Sequence, residues 1–288
     1  MNHPHLRHLI TRRKALGLFT AGTAGCLLEA FVLEPKRLSV TRRDIAIPAL
    51  PPGLDGLRVG LMSDFHFRPG DDDGLVTQAV TRASAENLDV IALTGDYMSS
   101  DPKVISPLLE ILGGLTARHG IFAVAGNHDG WRGSVPRIRR QFESAGLGFL
   151  LNRNTRIHHS GESLAIAGTD FIWKGNPDPA ATLKGIPAAT PVLALVHEPD
   201  YFDTLRAHRP IALQLSGHTH GGQCRVPLVG YAPCKVDFGR NYIDGHHARG
   251  ASNLFVTRGI GTVGPRVRFA CPPQLAILTL RSVPAQSS

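Results

Sequence analysis

The sequence predicts an α/β fold built on a mainly parallel β-sheet. Two observations carry this prediction: short apolar runs alternate with segments of helical spacing from Leu57 onward, and several of the apolar runs end in polar residues. Strands that alternate with helices form parallel sheets through right-handed crossovers. The chain has 288 residues and a hydrophobic content of 42%, which is enough for one large domain or two small ones.

The first half of the body is expected to alternate three buried strands with three helices. The strands are apolar runs that end in polar residues, and the helices have apolar residues at helical spacing. The strands are expected at 57–67, 88–96 and 120–129, and the helices at 73–87, 103–115 and 135–146. Pro136 suits the first turn of the third helix, and Gly146 follows its end.

The second half is expected to be richer in strands. A hairpin is expected around Ser160 and Gly161. Further strands are expected at 191–200, 211–222, 253–261 and 273–280, with a helix at 201–208. The Gly- and Pro-rich stretch from Gln223 to Val267 is expected to form long loops.

The N-terminal segment carries most of the positive charge. The net charge is +8, and residues 1–43 hold eight Lys or Arg residues against two acidic ones, so the rest is nearly neutral. A neutral body disfavours a nucleic-acid groove, and the basic cluster at 137–140 is expected to be a solvated helix face. We therefore expect no nucleic-acid partner.

The same segment resembles a twin-arginine export signal. Arg12 and Arg13 form the pair, and a mildly apolar run extends from Ala15 to Leu33. The resemblance implies the twin-arginine export machinery as a partner, and a location at the cytoplasmic membrane or in the cell envelope or periplasm.

Three alternatives to a cleaved signal stay open for this run. It can be a buried helix of the folded domain, an uncleaved membrane anchor or a segment lipidated at Cys26. An anchor has about the 20 residues that a span needs, although the charge of Glu29 inside it is costly.

The other cysteines form no Cys-x-x-Cys pair, so a thiolate zinc site is disfavoured. Cys224 and Cys234 either close a disulfide or stay free thiols.

Metal-capable side chains lie at the ends of five of the expected strands. They are Asp64 and His66, then Asp96, then Asn127, His128 and Asp129, then His197, and finally His218 and His220. Singly they have plain structural alternatives: Asp64 and Asp96 can stabilise turns, and His197 can be a hydrogen-bonded core histidine. Ligands bind beyond the carboxyl ends of strands in open α/β sheets, so five such ends predict one metal site. Carboxylate, imidazole and amide ligands suit Mn, Fe or Zn.

His218 and His220 lie two residues apart on an expected extended segment. Alternate residues of a strand point to the same side, so both imidazoles are expected to face the metal site together.

The motif blocks resemble those of the calcineurin-like metallophosphoesterase superfamily. The blocks are Asp64-x-His66, Gly95-Asp96, Gly126-Asn127-His128-Asp129, His197 and Gly217-His218-Thr219-His220, in that order. The resemblance implies a four-layer α/β/β/α sandwich of two mixed β-sheets flanked by helices. The stretch at 257–280 is similar to the cell-envelope branch of the superfamily, with Gln274 where that branch is expected to have Glu. Residues 1–43 would then be the signal or anchor, and 44–288 the catalytic domain.

The resemblance also implies residue roles around two divalent metal ions, with Mn, Zn and Fe as the candidates. One ion would take Asp64, His66, Asp96 and His220, and the other would take Asp96, Asn127, His197 and His218. Asp96 would bridge the ions, and a hydroxide between them would attack phosphorus in line with the leaving group. His128 would be catalytic, facing the scissile phosphate rather than a metal. Asp129 either orients a site group or simply starts the next loop, and Asp170 is a candidate for supporting the site from behind the ligands.

The implied function is a dinuclear phosphodiesterase that hydrolyses a P–O bond of a phosphoester at the cell envelope. One alternative is the UDP-2,3-diacylglucosamine pyrophosphohydrolase of lipid A synthesis, whose lipid-linked pyrophosphate requires a cytoplasm-facing domain. A non-catalytic, metal-stabilised envelope-binding protein is another, although His128 would have no purpose there. Two other classes of the superfamily are disfavoured. Purple acid phosphatases have a ligand Tyr where this sequence has Ser99, and the Asp-Arg-Gly motif of Ser/Thr protein phosphatases is absent here.

Overall fold

Two six-stranded β-sheets lie face to face in the computed structural model, which describes residues 12–230, 232–233 and 236–284. The strands are β1 (Ser39–Pro48), β2 (Arg58–Met62), β3 (Val90–Leu93), β4 (Ile121–Ala123), β5 (Gly148–Phe149), β6 (Arg153–His159), β7 (Glu162–Gly168), β8 (Val192–Leu195), β9 (Leu213–Ser216), β10 (Gly245–Arg249), β11 (Ser252–Val256) and β12 (Gln274–Val283). The helices are α1 (Arg12–Leu28), α2 (Asp73–Ser84), α3 (Ile105–Leu112), α4 (Asn127–Arg132), α5 (Val135–Ser144), α6 (Pro179–Leu183) and α7 (Phe202–His208).

Both sheets are mixed. The first has the strand order β1-β12-β2-β3-β4-β5, and only its β12–β2 pair is antiparallel among the described strands. The second has the order β10-β11-β9-β8-β7-β6, with antiparallel pairs at its two edges. Helices α2, α3 and α5 cover the first sheet, and α6 and α7 cover the second. The predicted four-layer sandwich is therefore confirmed.

The period of two along each strand divides its side chains between two cores. In β3, Val90 and Ala92 face the second sheet, whereas Ile91 and Leu93 pack under the helices of the outer layer. Fully burying an aliphatic side chain of this size contributes about 1.5–3 kcal/mol. The sheets are thus fixed on both faces, and the carboxyl ends of β2, β3 and β4 are held at one edge of the first sheet.

Three strands were not predicted from the sequence: β1, β10 and the two-residue strand β5. The long loops expected from Gln223 to Val267 are interrupted by β10, which pairs antiparallel with β11. Its sequence, GHHAR, has no apolar alternation, so periodicity does not reveal it. Strand β1 pairs in parallel with β12 along all ten of its residues and crosses the predicted boundary between residues 43 and 44.

The N-terminal apolar run is an exposed helical segment. Helix α1 continues through a π-helical turn and a 3₁₀ turn, and residues Leu16–Lys36 are long and apolar enough to cross a membrane. Leu18 and Phe19 are 66% and 73% exposed, so the alternative of a buried helix does not describe this segment. Cys26 is exposed on α1 as well. The choice between a disulfide and free thiols depends on Cys234, which lies outside the described residues.

The end of this segment docks on the folded domain. Glu34 is buried, and its carboxylate accepts the backbone N–H groups of Ala270 (2.9 Å) and Cys271. The backbone N–H of Arg268 donates to the carbonyl oxygen of Ala30 at 2.9 Å. These contacts tie residues 30–34 to the loop that precedes β12.

We predict that Glu34→Ala lowers the free energy of unfolding of the full chain by about 2–4 kcal/mol, because two buried N–H groups lose their acceptor. Glu29→Ala is the matched control: its carboxylate pairs with Arg37, whose side chain is 59% exposed, so the loss is at most about 1 kcal/mol. Denaturant unfolding in detergent measures both, and equal losses would contradict the assigned role of Glu34.

Candidate metal centre

The side chains predicted to bind metal converge at the carboxyl ends of strands from both sheets. None of them is more than 6% exposed. They are Asp64, His66, Asp96, Asn127, His197, His218 and His220. The structure therefore brings all seven together in one buried region.

The chain leaves its strands through left-handed turns. The backbone φ angles are positive at Asp64 (54°), His66 (39°), Asp96 (54°), His218 (71°) and His220 (50°). Such backbone costs about 1–3 kcal/mol for a residue with a side chain, and it concentrates at functional sites.

The expectation of an extended segment carrying both final histidines is wrong. Strand β9 ends at Ser216, and His218 and His220 follow in left-handed conformations. The left-handed turns, rather than strand alternation, direct these imidazoles. They reach different partners: His220 groups with Asp64, and His218 groups with Asp96.

The first cluster contains Asp64, His66 and His220. The Nε2 atoms of His66 and His220 lie 3.1 Å apart, and Nε2 of His220 lies 3.7 Å from Oδ1 of Asp64. Two buried polar atoms, Oδ2 of Asp64 and Nδ1 of His220, have no hydrogen-bond partner among the described residues. Facing imidazole nitrogens beside a carboxylate form a donor set that fits a divalent cation.

The second cluster contains Asp96, Asn127, His197 and His218. Oδ1 of Asn127 lies 3.1 Å from Nε2 of His197 and 2.9 Å from Nδ1 of His218. Oδ2 of Asp96 lies 3.2 Å from Nε2 of His197 and 3.4 Å from Nε2 of His66. One carboxylate oxygen therefore stands between the two clusters.

Hydrogen bonds on the far side of two rings fix which nitrogen is available for an ion. Nδ1 of His197 donates to the carbonyl oxygen of Thr94 at 2.6 Å. Nε2 of His218 donates to the carbonyl oxygen of Asp237 at 2.7 Å. Ligand histidines commonly have such a contact, because it orients the ring and leaves the other nitrogen for the ion.

Burial and charge set the protonation of the cluster. Burial lowers the pKa of His66 to about 3 and that of His218 to about 4, which keeps both rings in the neutral, metal-binding form at pH 7. Burial raises the pKa of Asp64 to about 6. Burial alone would also raise the pKa of Asp96, but in the absence of an ion the protonated ring of His197 and its hydrogen bond hold that pKa far below its usual range.

His128 lies beside the clusters rather than within the predicted ligand set. Its backbone N–H donates to Oδ1 of Asp96 at 2.9 Å, and its Nδ1 donates to the carbonyl oxygen of Ser99 at 3.0 Å. The ring packs edge-on against His66, with centroids 4.7 Å apart. Nε2 is the nitrogen that remains for a molecule in the adjoining cavity.

Asp129 orients a site group, which is the first of its two predicted roles. Its carboxylate accepts the backbone N–H groups of Asp96 (2.8 Å), Tyr97 (3.0 Å) and Gly126 (2.8 Å). It thereby joins the loop that carries Asp96 to the loop that carries Asn127.

Asp170 acts on a different loop. Its carboxylate accepts the backbone N–H groups of Phe171 (2.9 Å) and Asn176 (3.0 Å), so it shapes the loop after β7. Gln274, which stands where Glu was expected, is hydrogen-bonded through both polar atoms of its side chain. Its Oε1 accepts the hydroxyl of Thr257 at 3.0 Å, and its Nε2 donates to the hydroxyl of Thr41.

Sequence reasoning missed the residues that shape the cavity over the clusters. The cavity has a volume of about 370 Å³, and Trp173, Val236, Val263 and Val267 line it together with the site histidines. The buried carboxylate of Glu198 accepts the backbone N–H groups of Ile172 and Trp173, both at 3.0 Å. One indication of this support for Trp173 is present in the sequence: the acidic residue Glu198 directly follows His197 at the end of an apolar run.

Comparisons with known proteins identify the family and the fold. The family model "Calcineurin-like phosphoesterase" matches residues 57–222. The uncharacterized metallophosphoesterase YkuE of Bacillus subtilis is 31% identical over 95% of this chain and 98% of its own length. The phosphodiesterase YaeI of Escherichia coli is 33% identical over 77% of this chain and 82% of its own length. A solved dimetal phosphatase from Danio rerio has a similar fold, with a TM-score of 0.50 and 11% identity, covering 79% of this chain and 93% of its own.

We predict that Gly126→Ala weakens metal affinity by about 10- to 100-fold, the loss typical of disturbed ligand support. An added Cβ would lie 2.2 Å from Oδ1 and 2.4 Å from the backbone nitrogen of Asp96, so the ligand must move. Gly74→Ala is the control, because a Cβ at Gly74 in α2 meets nothing within 4 Å. Metal content after dialysis against graded chelator measures both, and unchanged affinity in Gly126→Ala would refute the prediction.

Proposed function

The chain belongs to the calcineurin-like phosphoesterase family and is a metal-dependent hydrolase, and we propose that it is a two-metal phosphodiesterase of the cell envelope. One observation carries the two-metal part: a single oxygen of Asp96 lies within 3.4 Å of ligand nitrogens from both clusters. A buried carboxylate in this position can serve two ions at once. The similarity to the phosphodiesterase YaeI of Escherichia coli supports phosphodiesters as the substrate class.

The proposed ligands divide as the two clusters do. Asp64, His66, Asp96 and His220 would hold one ion, and Asp96, Asn127, His197 and His218 the other. Two observations support this division. Oδ2 of Asp64 is buried and has no hydrogen-bond partner among the described residues, and His197 and His218 each have one ring nitrogen bound to a backbone carbonyl oxygen, which leaves the other nitrogen for an ion. Bound Mn, Zn or Fe ions would activate water and neutralise charge on phosphate oxygens.

His128 is proposed as the proton donor. The Ser99 carbonyl fixes the ring through Nδ1, which leaves Nε2 toward the cavity that the ring lines. From there Nε2 can donate to a phosphoryl oxygen or to the leaving oxygen. The backbone N–H of His128 donates a hydrogen bond to Asp96, which places the His128 ring next to the carboxylate shared by both clusters.

The envelope location rests on the N-terminal segment. Arg12 and Arg13 precede the exposed helix Leu16–Lys36, whose mean hydropathy is 1.7. Export by the twin-arginine machinery would put the domain on the outer face of the cytoplasmic membrane, with this helix as a signal or an anchor. The docking of Glu34 supports retention of residues 30–36 with the domain.

A second candidate substrate is the lipid-linked pyrophosphate UDP-2,3-diacylglucosamine. One observation favours it: Val236, Val263 and Val267 make part of the cavity wall apolar, which suits an ester with a hydrocarbon portion. This activity requires a domain that faces the cytoplasm, so the topology of the chain separates it from the leading proposal.

We predict that the Mn- or Zn-loaded full chain hydrolyses bis-p-nitrophenyl phosphate. Asp96→Asn should lose metal and activity together. His128→Ala should keep its metal and lose about 10²- to 10⁴-fold in kcat, the usual contribution of a positioned acid. His208→Ala, which changes a histidine at the end of α7, is the control and should match the wild type.

Parallel assays with UDP-2,3-diacylglucosamine decide between the two substrates through the ratio of kcat/KM. Full metal occupancy without turnover of either ester would overturn the phosphodiesterase proposal. Full activity in His128→Ala would overturn the role of His128 alone.

We predict that the double variant Arg12→Lys, Arg13→Lys reduces the exported fraction at least tenfold, because the export machinery reads the paired guanidinium groups. The chain offers a matched control, since Arg42 and Arg43 form a second pair on β1, and their double Lys variant should be exported normally. Protease accessibility in bacterial spheroplasts measures both. A wild-type domain protected inside the cell would contradict export and favour the nucleotide-sugar substrate.

A further inference from the structure

A separate cluster of metal-capable side chains lies at the amino ends of β3 and β4 and at the carboxyl end of β6, at the edge opposite the candidate metal centre. Asp89 directly precedes β3, and His119 lies two residues before β4. His159 is the last residue of β6, in the second sheet. The cluster therefore spans both sheets and shares no residue with the clusters around Asp96.

The distances within this cluster suit one small ion. Nε2 of His119 lies 3.0 Å from Nδ1 of His159, and that atom lies 3.8 Å from Oδ1 of Asp89. All three candidate ligand atoms lie within 4.8 Å of one another. Nitrogen ligands at 2.0–2.1 Å in a tetrahedral zinc site lie about 3.3 Å apart, so small side-chain rotations suffice.

The carboxylate is already oriented for this role. Oδ2 of Asp89 accepts the backbone N–H of Arg58 at 2.9 Å, which directs Oδ1 toward His159. The backbone N–H of His119 donates to the carbonyl oxygen of Asp89 at 2.8 Å, so the two ligands are tied through the main chain. Support of this kind is typical of ligands in metal sites.

Charge and exposure agree with an ion at this position. Burial, followed by the charge of His159, lowers the pKa of His119, which favours the neutral ligand form. Arg118 faces the same carboxylate, with its Nη1 3.6 Å from Oδ1 of Asp89, but its side chain is 68% exposed and can turn into solvent. The side chains of His159 and Asp89 are 13% and 12% exposed, so water can reach a fourth position.

We infer that Asp89, His119 and His159 bind a divalent ion of the zinc type, with water as the fourth ligand. Two imidazoles and one carboxylate favour zinc over calcium or magnesium. The ion would clip β3 and β4 of the first sheet to the end of β6 in the second, and would stabilise the sandwich by binding only the folded chain. This site uses none of the residues assigned to the proposed function, and only the metal count of its test relies on Asp96→Asn emptying the proposed catalytic centre.

The test uses the full chain in the Asp96→Asn background, which removes the proposed catalytic ions and leaves this site intact. Zinc content after dialysis should be one ion per chain, and it should fall to none when His159→Ala is added. His158→Ala is the matched control, because this neighbouring histidine contacts Ser163 instead and should keep the ion. His159→Gln serves as a second variant if the alanine variant folds poorly.

Thermal unfolding gives a readout that does not depend on activity. Zinc should raise the Tm of the Asp96→Asn chain and of its His158→Ala derivative, but not of its His159→Ala or His159→Gln derivatives. In the otherwise wild-type chain, His159→Ala should leave hydrolysis of bis-p-nitrophenyl phosphate unchanged. An Asp96→Asn chain without zinc, or equal zinc content in His158→Ala and His159→Ala, would overturn the inference.

Discussion

The buried carboxylate of Asp96 is the group on which the whole site depends. One of its oxygens faces His66 and His197, and the other accepts the N–H of His128. Burial works against its charge, yet the neighbouring His197 holds the pKa of Asp96 low, so the anion persists. The loop that presents it is held in turn by Asp129. Contacts from both candidate clusters, from His128 and from the loop held by Asp129 therefore meet at one side chain.

The packed core of the sandwich stabilises the strained turns around the site. Left-handed backbone at several ligands stores strain, and each such position costs about 1–3 kcal/mol. The core between the sheets offsets that cost, because strands such as β3 and β8 are buried on both faces. Close approaches add a further demand, since the loop at Gly126 leaves no room for a Cβ beside Asp96. Rigid strands thus hold strained turns in place.

Apolar runs in the sequence predicted most of the buried strands and placed metal-capable side chains at their ends. The four-layer sandwich and the division of the ligands came from the resemblance of the motif blocks to a known superfamily. What sequence could not provide were features made by distant partners. Strand β10 lacks apolar alternation, and Glu198 holds Trp173 through main-chain N–H groups that no side-chain pattern encodes. Likewise, the burial of Glu34 depends on a loop more than 200 residues away.

The pairing of β1 with β12 has a consequence for how the chain assembles. Residues 39–48 pair with residues 274–283, so β1 cannot be paired until β12 has been synthesised. Closing so long a loop is entropically costly and is a late event in folding. During synthesis the β1 edge therefore stays unpaired until β12 has left the ribosome. A strand that emerges early is thus among the last to be fixed.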